Sequence, residues 1–321
     1  MVKRISKKHI ITAFLIFTIA IALASPSDYI AGTLSALILY AKNVLPALFP
    51  FIFFNKLLTM IGSANDLSVM LKKPLSKLYR APEISGYVMI MSIFCGYPIG
   101  SKLTRDLFDA NAITKEECFI ISVLSNVCGP IFIIGTVSQM LGNSKYGYII
   151  YFSHLLSAFI NSFFYRPKQK PQANNFSLNN KYDDILGKSM IDSIISIALV
   201  GGYIAIMSFF ITLLDKIYLT KLITTIFGFI GISDNVSRGV FYGLFEMTRG
   251  ISAISSCNLQ AIFCIPISTF LITFGGVCIA LQSLNYTSKC GISAGKYLLS
   301  KLSQAVIATL ISIIFVLLFL H

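Results

Sequence analysis

Two stretches of this chain fail as membrane-crossing helices, and they fail in matching places. The first, residues 84–109, reads ISGYVMIMSIFCGYPIGSKLTRDLFD; the second, residues 235–257, reads NVSRGVFYGLFEMTRGISAISSC. Each opens as a short apolar run, reaches a Gly-rich kink and continues as a polar, charged run. Neither holds the ~20 unbroken apolar residues needed to cross ~30 Å of hydrocarbon. Each has the pattern of a segment that enters the membrane and returns. Non-helical backbone at that depth persists only inside protein or beside a wet cavity. Interrupted segments at corresponding positions of two halves point to a transporter's binding site.

The rest of the chain agrees with a membrane setting. Charged residues make up 12% and hydrophobic ones 55%, whereas a soluble domain carries roughly 25% charge. The mean hydropathy is +0.78. The net charge of +13 follows from Lys and Arg held in cytoplasmic loops. No basic run is interleaved with aromatics as a nucleic-acid groove requires, so no nucleic acid is expected. The seven cysteines show no CxxC spacing and the three histidines are scattered, so no metal site is expected and the cysteines read as small buried residues. Residues 1–25 imitate a secretory signal, with Ala22-Leu23-Ala24 resembling a cleavage site. In a chain this apolar they read as a retained first transmembrane helix.

Long apolar spans fall at about 9–24, 44–61, 117–141, 147–165, 189–214, 258–284 and 302–320. Residues 28–43 read as an interfacial helix, or else as part of a long kinked span. Segments 67–80 and 214–232 set Lys and Arg among Leu and Ile, the pattern of helices lying in the interface. The order of parts then repeats. Residues 1–43 form an N-terminal helix and interfacial helix, 44–165 a first repeat and 189–320 a second, joined by a polar linker at 166–188. Three spans per half invert the second half relative to the first. The expected fold is therefore an all-α polytopic membrane protein of inverted repeats with two re-entrant helical hairpins. With the N-terminus inside, 19 of the 26 Lys and Arg fall inside. The count places the first hairpin on the cytoplasmic side and the second opposite, their tips meeting near the midplane.

The first tip is Cys95-Gly96-Tyr97-Pro98-Ile99-Gly100, followed by Ser101 and Lys102. Gly96 and Gly100 allow close backbone approach, and Pro98 breaks the helix. The returning half-helix, expected to start after Gly100, offers N–H groups to an anion, with Lys102 beside it. The second tip carries Glu246, Thr248, Arg249 and Gly250. Glu246 is the sole acidic residue after Asp234. A carboxylate at membrane depth costs several kcal/mol unless paired, so it reads as a ligand, proton or cation site, or as an ion pair with Arg249 at i, i+3. Asn126, Gly129 and Pro130 interrupt span 117–141, and Pro266, Ser268 and Thr269 are their counterparts in the second half. Asn55, Lys56, Gln139, His154, Asn161 and Asp192 read as packing or snorkelling residues. No HExxH, GxSxG or Walker loop is present, so neither catalytic residues nor a cofactor is expected.

The runs VLPALFPFIFFNKLL, KPLSKLYRAPEISGYVMIMSIFCGYPIGSKLTRDL, SNVCGPIFIIGTV and GLFEMTRG resemble the sporulation integral membrane protein family called YlbJ or SpoVV. It lies within the group with nucleoside-recognition or "Gate" domains, whose fold is similar to concentrative nucleoside transporters. The resemblance covers roughly residues 40–320. It implies transport of dipicolinic acid across the outer forespore membrane during sporulation. The expected binding set is Gly96, Tyr97, Pro98, Gly100, Ser101, Lys102, Asn126, Glu246, Thr248, Arg249 and Gly250. The expected partners are a small-molecule anion, the lipid bilayer, and either further copies of the chain or other sporulation membrane proteins. A nucleoside-type transporter and a non-transporting scaffold are the alternatives.

Overall fold

The computed structural model describes residues 6–168 and 184–320, and every regular element among them is helical. Helix α1 (Lys7–Ala24) touches the rest mainly where Phe14 stacks on Phe210. Helices α2 (Pro26–Leu39) and α3 (Leu45–Met60) join through a π-helical turn, Tyr40–Val44. The interfacial helix expected at 28–43 is thus the first part of a continuous 35-residue helix, Pro26–Met60. Pro46 follows the π-helical turn directly and Pro50 lies inside α3, and the helix runs on through both.

Helix α4 (Ala64–Pro74) carries the expected basic amphipathic face and ends in a π-helical turn, Leu75–Tyr79. The first hairpin follows as α5 (Ser85–Cys95) and α6 (Ile99–Asp109). Helix α7 (Lys115–Ser125) opens with a capping box. Thr114 Oγ1 accepts from the Glu117 N–H at 3.3 Å, and the Thr114 N–H donates to Glu117 Oε2 at 2.8 Å. The chain then runs irregularly through Asn126–Pro130 into a π-helical turn, Ile131–Val137, and α8 (Ser138–Met140). Span 117–141 is therefore interrupted at Asn126–Pro130, as its Asn, Gly and Pro predict. Helix α9 (Ser144–Phe164) closes the first half.

The second half has the same order of parts. It consists of α10 (Ile185–Lys216), α11 (Leu219–Phe229), a hairpin of α12 (Asp234–Phe245) and α13 (Met247–Ser255), a broken pair α14 (Ala261–Phe274) and α15 (Gly276–Thr287), and α16 (Ala294–Phe319). The break in the pair falls at Gly275, not at Pro266 as the sequence suggests. Pro266 lies inside α14, and the helix runs on through it to Phe274. Gly275 and Gly276 both have positive φ, 78° and 69°, which favours glycine. Among the described residues, six helices are long and apolar enough to cross a membrane: 7–24, 26–60, 144–164, 185–216, 261–290 and 294–319. Of the expected linker 166–188, residues 169–183 lie outside the described residues.

Helix α10 is the element on which both halves lean. The Tyr40 hydroxyl donates to the Ile197 carbonyl at 2.7 Å, and Ser208 Oγ donates to the Gly32 carbonyl at 2.8 Å. Lys56 pairs with Asp192 at 3.6 Å. The outer faces of α1, α9, α10 and α16 expose rows of Ile, Leu and Phe, a surface suited to lipid tails.

We propose that 44–165 and 189–320 are repeats of opposite orientation. Labelling of introduced cysteines in a Cys257→Ser background tests this. Lys77→Cys on the turn after α4 and Lys221→Cys on α11 are expected to react with an impermeant thiol reagent from opposite faces of the membrane. Reaction of both from one face refutes the inversion.

Candidate functional site

The second hairpin packs almost backbone to backbone. A Cβ added at Gly250 on α13 would overlap Gly243 on α12, and one added at Gly239 would press on Ile254. The pairs 243/250 and 239/254 show an antiparallel hairpin closed by glycine. Its tip is the single extended residue Glu246, at φ −142° and ψ 110°. The Glu246 carboxylate turns back on its own half-helix. Oε1 accepts from the Thr248 N–H at 2.9 Å, and Oε2 from the Arg249 N–H at 2.7 Å. Glu246 is thus the N-cap of α13, and its charge complements the positive end of the helix. The half-helix begins at Met247, not after Gly250, which lies inside it.

The ion pair considered between Glu246 and Arg249 does not form. The Arg249 guanidinium donates to Ser208 Oγ at 2.9 Å and lies 4.7 Å from the centre of the Tyr242 ring. Cation–π contact and α10 hold it. Lys102 likewise reaches α10, where Nζ donates to Ser196 Oγ at 2.9 Å. Its charged neighbours are Lys56, Asp106 and Asp192. Ser196 and Ser208 are twelve residues apart on α10, about 18 Å at 1.5 Å per residue. Lys102 and Arg249 in this conformation therefore do not share one small ligand.

At the first tip, Gly96 has φ +74° and packs on the backbone of Gly129 in the broken span. Pro98 precedes the first residue of α6, so the half-helix starts at Ile99 rather than after Gly100. Gly100 packs against the Ser125 carbonyl, and the buried Ser101 hydroxyl has no hydrogen-bond partner. Tyr97 is the residue that faces inward. Its hydroxyl donates to the Thr273 carbonyl at 3.4 Å and accepts from Lys301 Nζ at 2.9 Å.

The two tips meet at a cavity of about 20 Å³, room for roughly one water. Tyr97 comes from the first tip, and Glu246, Met247 and Thr248 from the second. Cys128 and Gln282, from the two broken spans, complete the polar lining. Gln282 is 2% exposed, and its Oε1 has no partner. Of the expected set, Tyr97, Glu246 and Thr248 line this space directly. Asn126 stands behind it, donating to the Tyr297 hydroxyl at 2.5 Å. Gly96, Pro98, Gly100 and Gly250 shape the tips, Ser101 is enclosed beside them, and Lys102 and Arg249 point elsewhere.

Three residues at this centre escaped the sequence reading as functional candidates. His154 is not only a packing residue. Its Nε2 accepts the Cys128 N–H freed by the helix break, at 2.8 Å, so the ring proton sits on Nδ1, 2.9 Å from Thr273 Oγ1. Lys301, assigned to the loop before a span at 302–320, is the eighth residue of α16 and is 2% exposed. Its Nζ also donates to the Asn126 carbonyl at 3.0 Å and Gln304 Oε1 at 2.8 Å. The third is Gln282. Tyr297, Lys301, Gln304 and Ala308 recur at helical spacing and are all buried. That stripe was the signal that α16 begins earlier and faces inward.

The fold and site define a multi-pass helical membrane protein whose interrupted helices meet around an enclosed polar centre. The chain is 23% identical over 330 residues to the sporulation integral membrane protein YlbJ of Bacillus subtilis (strain 168). The match spans 93% of this chain and 80% of that protein. The chain is thus similar to a sporulation membrane protein along most of its length. A solved structure of CNTnw, a doubly substituted variant in an outward-facing state, aligns at a TM-score of 0.48 with 14% identity. It covers 83% of this chain and 75% of that one. No family model matches the chain.

The glycine contact gives a direct test of the hairpin. Gly250→Ala, whose Cβ has only backbone to meet, is expected to remove folded protein from the membrane fraction. Gly202→Ala on α10, with nothing within 4 Å, is expected to leave it unchanged. Glu246→Ala is expected to cost about 1 kcal/mol as a lost cap, read as a lower melting temperature in detergent, while the hairpin still forms.

Proposed function

We propose that this protein is a transporter for a small organic anion, and that it works by moving its two hairpin tips around the central cavity. The observation that carries the reading is the meeting of both tips at one small cavity that has Glu246 and Gln282 in an otherwise largely apolar wall. Closed around a single water, that space cannot hold a metabolite until a hairpin moves, which is the behaviour of a gate. A scaffold has no use for two interrupted hairpins whose buried polar groups line a cavity. Dipicolinic acid, crossing the outer forespore membrane, is the candidate substrate. Its support is the likeness to a sporulation membrane protein. In this reading no reaction is catalysed and no cofactor is used.

One observation favours a second reading. Glu246 and the unpartnered Gln282 Oε1 place two acceptor groups in the cavity wall. Acceptors suit an uncharged polar substrate of the nucleoside kind, or a cation carried together with the anion.

Uptake into vesicles holding the purified chain separates these readings. Labelled dipicolinate is expected to accumulate above empty vesicles, with uridine and adenosine competing poorly. Glu246→Gln is expected to lower uptake far more than it lowers protein level. Strong nucleoside uptake without response to dipicolinate refutes the anion reading.

A further inference from the structure

The interior around the tips holds a positive charge that no counter-ion meets. Lys301 is 2% exposed, and its Nζ donates to Tyr97 Oη, Asn126 O and Gln304 Oε1 at 2.9, 3.0 and 2.8 Å. All three acceptors are neutral. Hydrogen bonding is satisfied, but the charge is not: among the described residues, no carboxylate lies within ion-pair distance of it. An ammonium at membrane depth is costly, and such residues are retained where a substrate or ion pathway uses them. The bland account makes Lys301 a tie for the Asn126 carbonyl freed by the helix break. A neutral donor such as a Gln amide serves that purpose without burying a charge.

Position decides between these accounts. Tyr97 forms part of the cavity wall, and its hydroxyl is one of the three groups holding Nζ. The ring itself lies 5.0 Å from Nζ. Through this side chain the first tip links the ammonium to the cavity wall. When the first hairpin moves, Tyr97 leaves Lys301 and one N–H turns free toward the opened space. The other two donors stay on Asn126 and Gln304, so the ammonium keeps its place. Lys102 and Arg249 do not compete for this role, because each is drawn onto α10 and neither lines the cavity.

We infer that Lys301 is the residue that selects a carboxylate: its ammonium, held by Tyr97 while the site is closed, becomes the counter-charge of the anion when the first tip opens. This rests on the anion-transport reading and names the group that reads the charge. Glu246, across the cavity, repels a second carboxylate, so a dianion presents one carboxylate to Lys301 and carries a bound cation at the other.

Ligand binding to the purified full chain tests the inference, with dipicolinate and its uncharged diamide, pyridine-2,6-dicarboxamide, as probes. The readout is the rise in melting temperature with ligand concentration. The wild-type chain is expected to prefer dipicolinate. Lys301→Gln, which keeps donors for Tyr97 and Asn126, is expected to lose at least about tenfold in dipicolinate affinity while holding the diamide within about twofold. Lys301→Arg is expected to keep the preference. A parallel loss of both probes in the Gln variant, or no loss of either, overturns the inference and leaves anion transport standing. Should the Gln variant not fold, the Arg variant decides: a retained preference supports the inference and a lost one overturns it. A wild-type chain that binds neither probe defeats the anion reading itself and takes this inference with it.

Discussion

Everything at the centre of this protein follows from one constraint: a helix broken at membrane depth leaves backbone groups that water cannot satisfy. Four interruptions occur among the described residues, and their partners come from next door and from far along the chain. The N–H groups at the start of α13 find the Glu246 carboxylate. The Cys128 N–H finds His154, and the Asn126 carbonyl finds Lys301, 175 residues away. Each partner is polar, buried and costly to bury. Their presence makes the interrupted hairpins stable without making them continuous. A stretch of irregular backbone held this way can change partners, which an unbroken helix cannot do without losing its own hydrogen bonds.

The same accounting explains where charge sits. Arg249 and Lys102 are pulled outward to two serines of α10, while Glu246 and Lys301 remain inside. The interior therefore carries one charge of each sign, separated by Tyr97 and the cavity it walls. A ligand that presents a carboxylate at one end and a donor or cation at the other matches that polarity. A symmetric dianion alone matches only half of it.

Much of this was legible in the sequence. The hairpins 84–109 and 235–257 stood out because Gly, Pro and charge interrupt apolar runs too short to cross. The break at Asn126–Pro130 was readable for the same reason. Three features were not. Residues 28–43 left two readings open because Lys42 and Asn43 are polar, and the π-helical turn at Tyr40–Val44, which carries α2 straight into α3, bears out the long kinked span over the interfacial helix. Pro266 drew the eye from the Gly275-Gly276 pair, but the helix runs through the proline and stops where two adjacent glycines take positive φ. Lys301 was hidden because a lysine beside Lys296 and Lys289 looks like loop charge. Only the third dimension shows that it points at a hairpin 204 residues away. The acidic-basic pair at Glu246 and Arg249 was suggested by spacing alone, and spacing does not see that backbone N–H groups outcompete the guanidinium for the carboxylate.

The central claim is that both tips close on one space that opens to each face of the membrane in turn. The protein carries its own reporters for this, since Cys128 and Cys278 both line the cavity and are 3% and 1% exposed. A small impermeant thiosulfonate is applied from one face at a time to oriented vesicles, and the modified cysteines are identified by mass spectrometry. The account predicts slow modification of these two thiols from either face, with substrate changing the two rates in opposite directions. Modification from a single face only, indifferent to substrate, would contradict it.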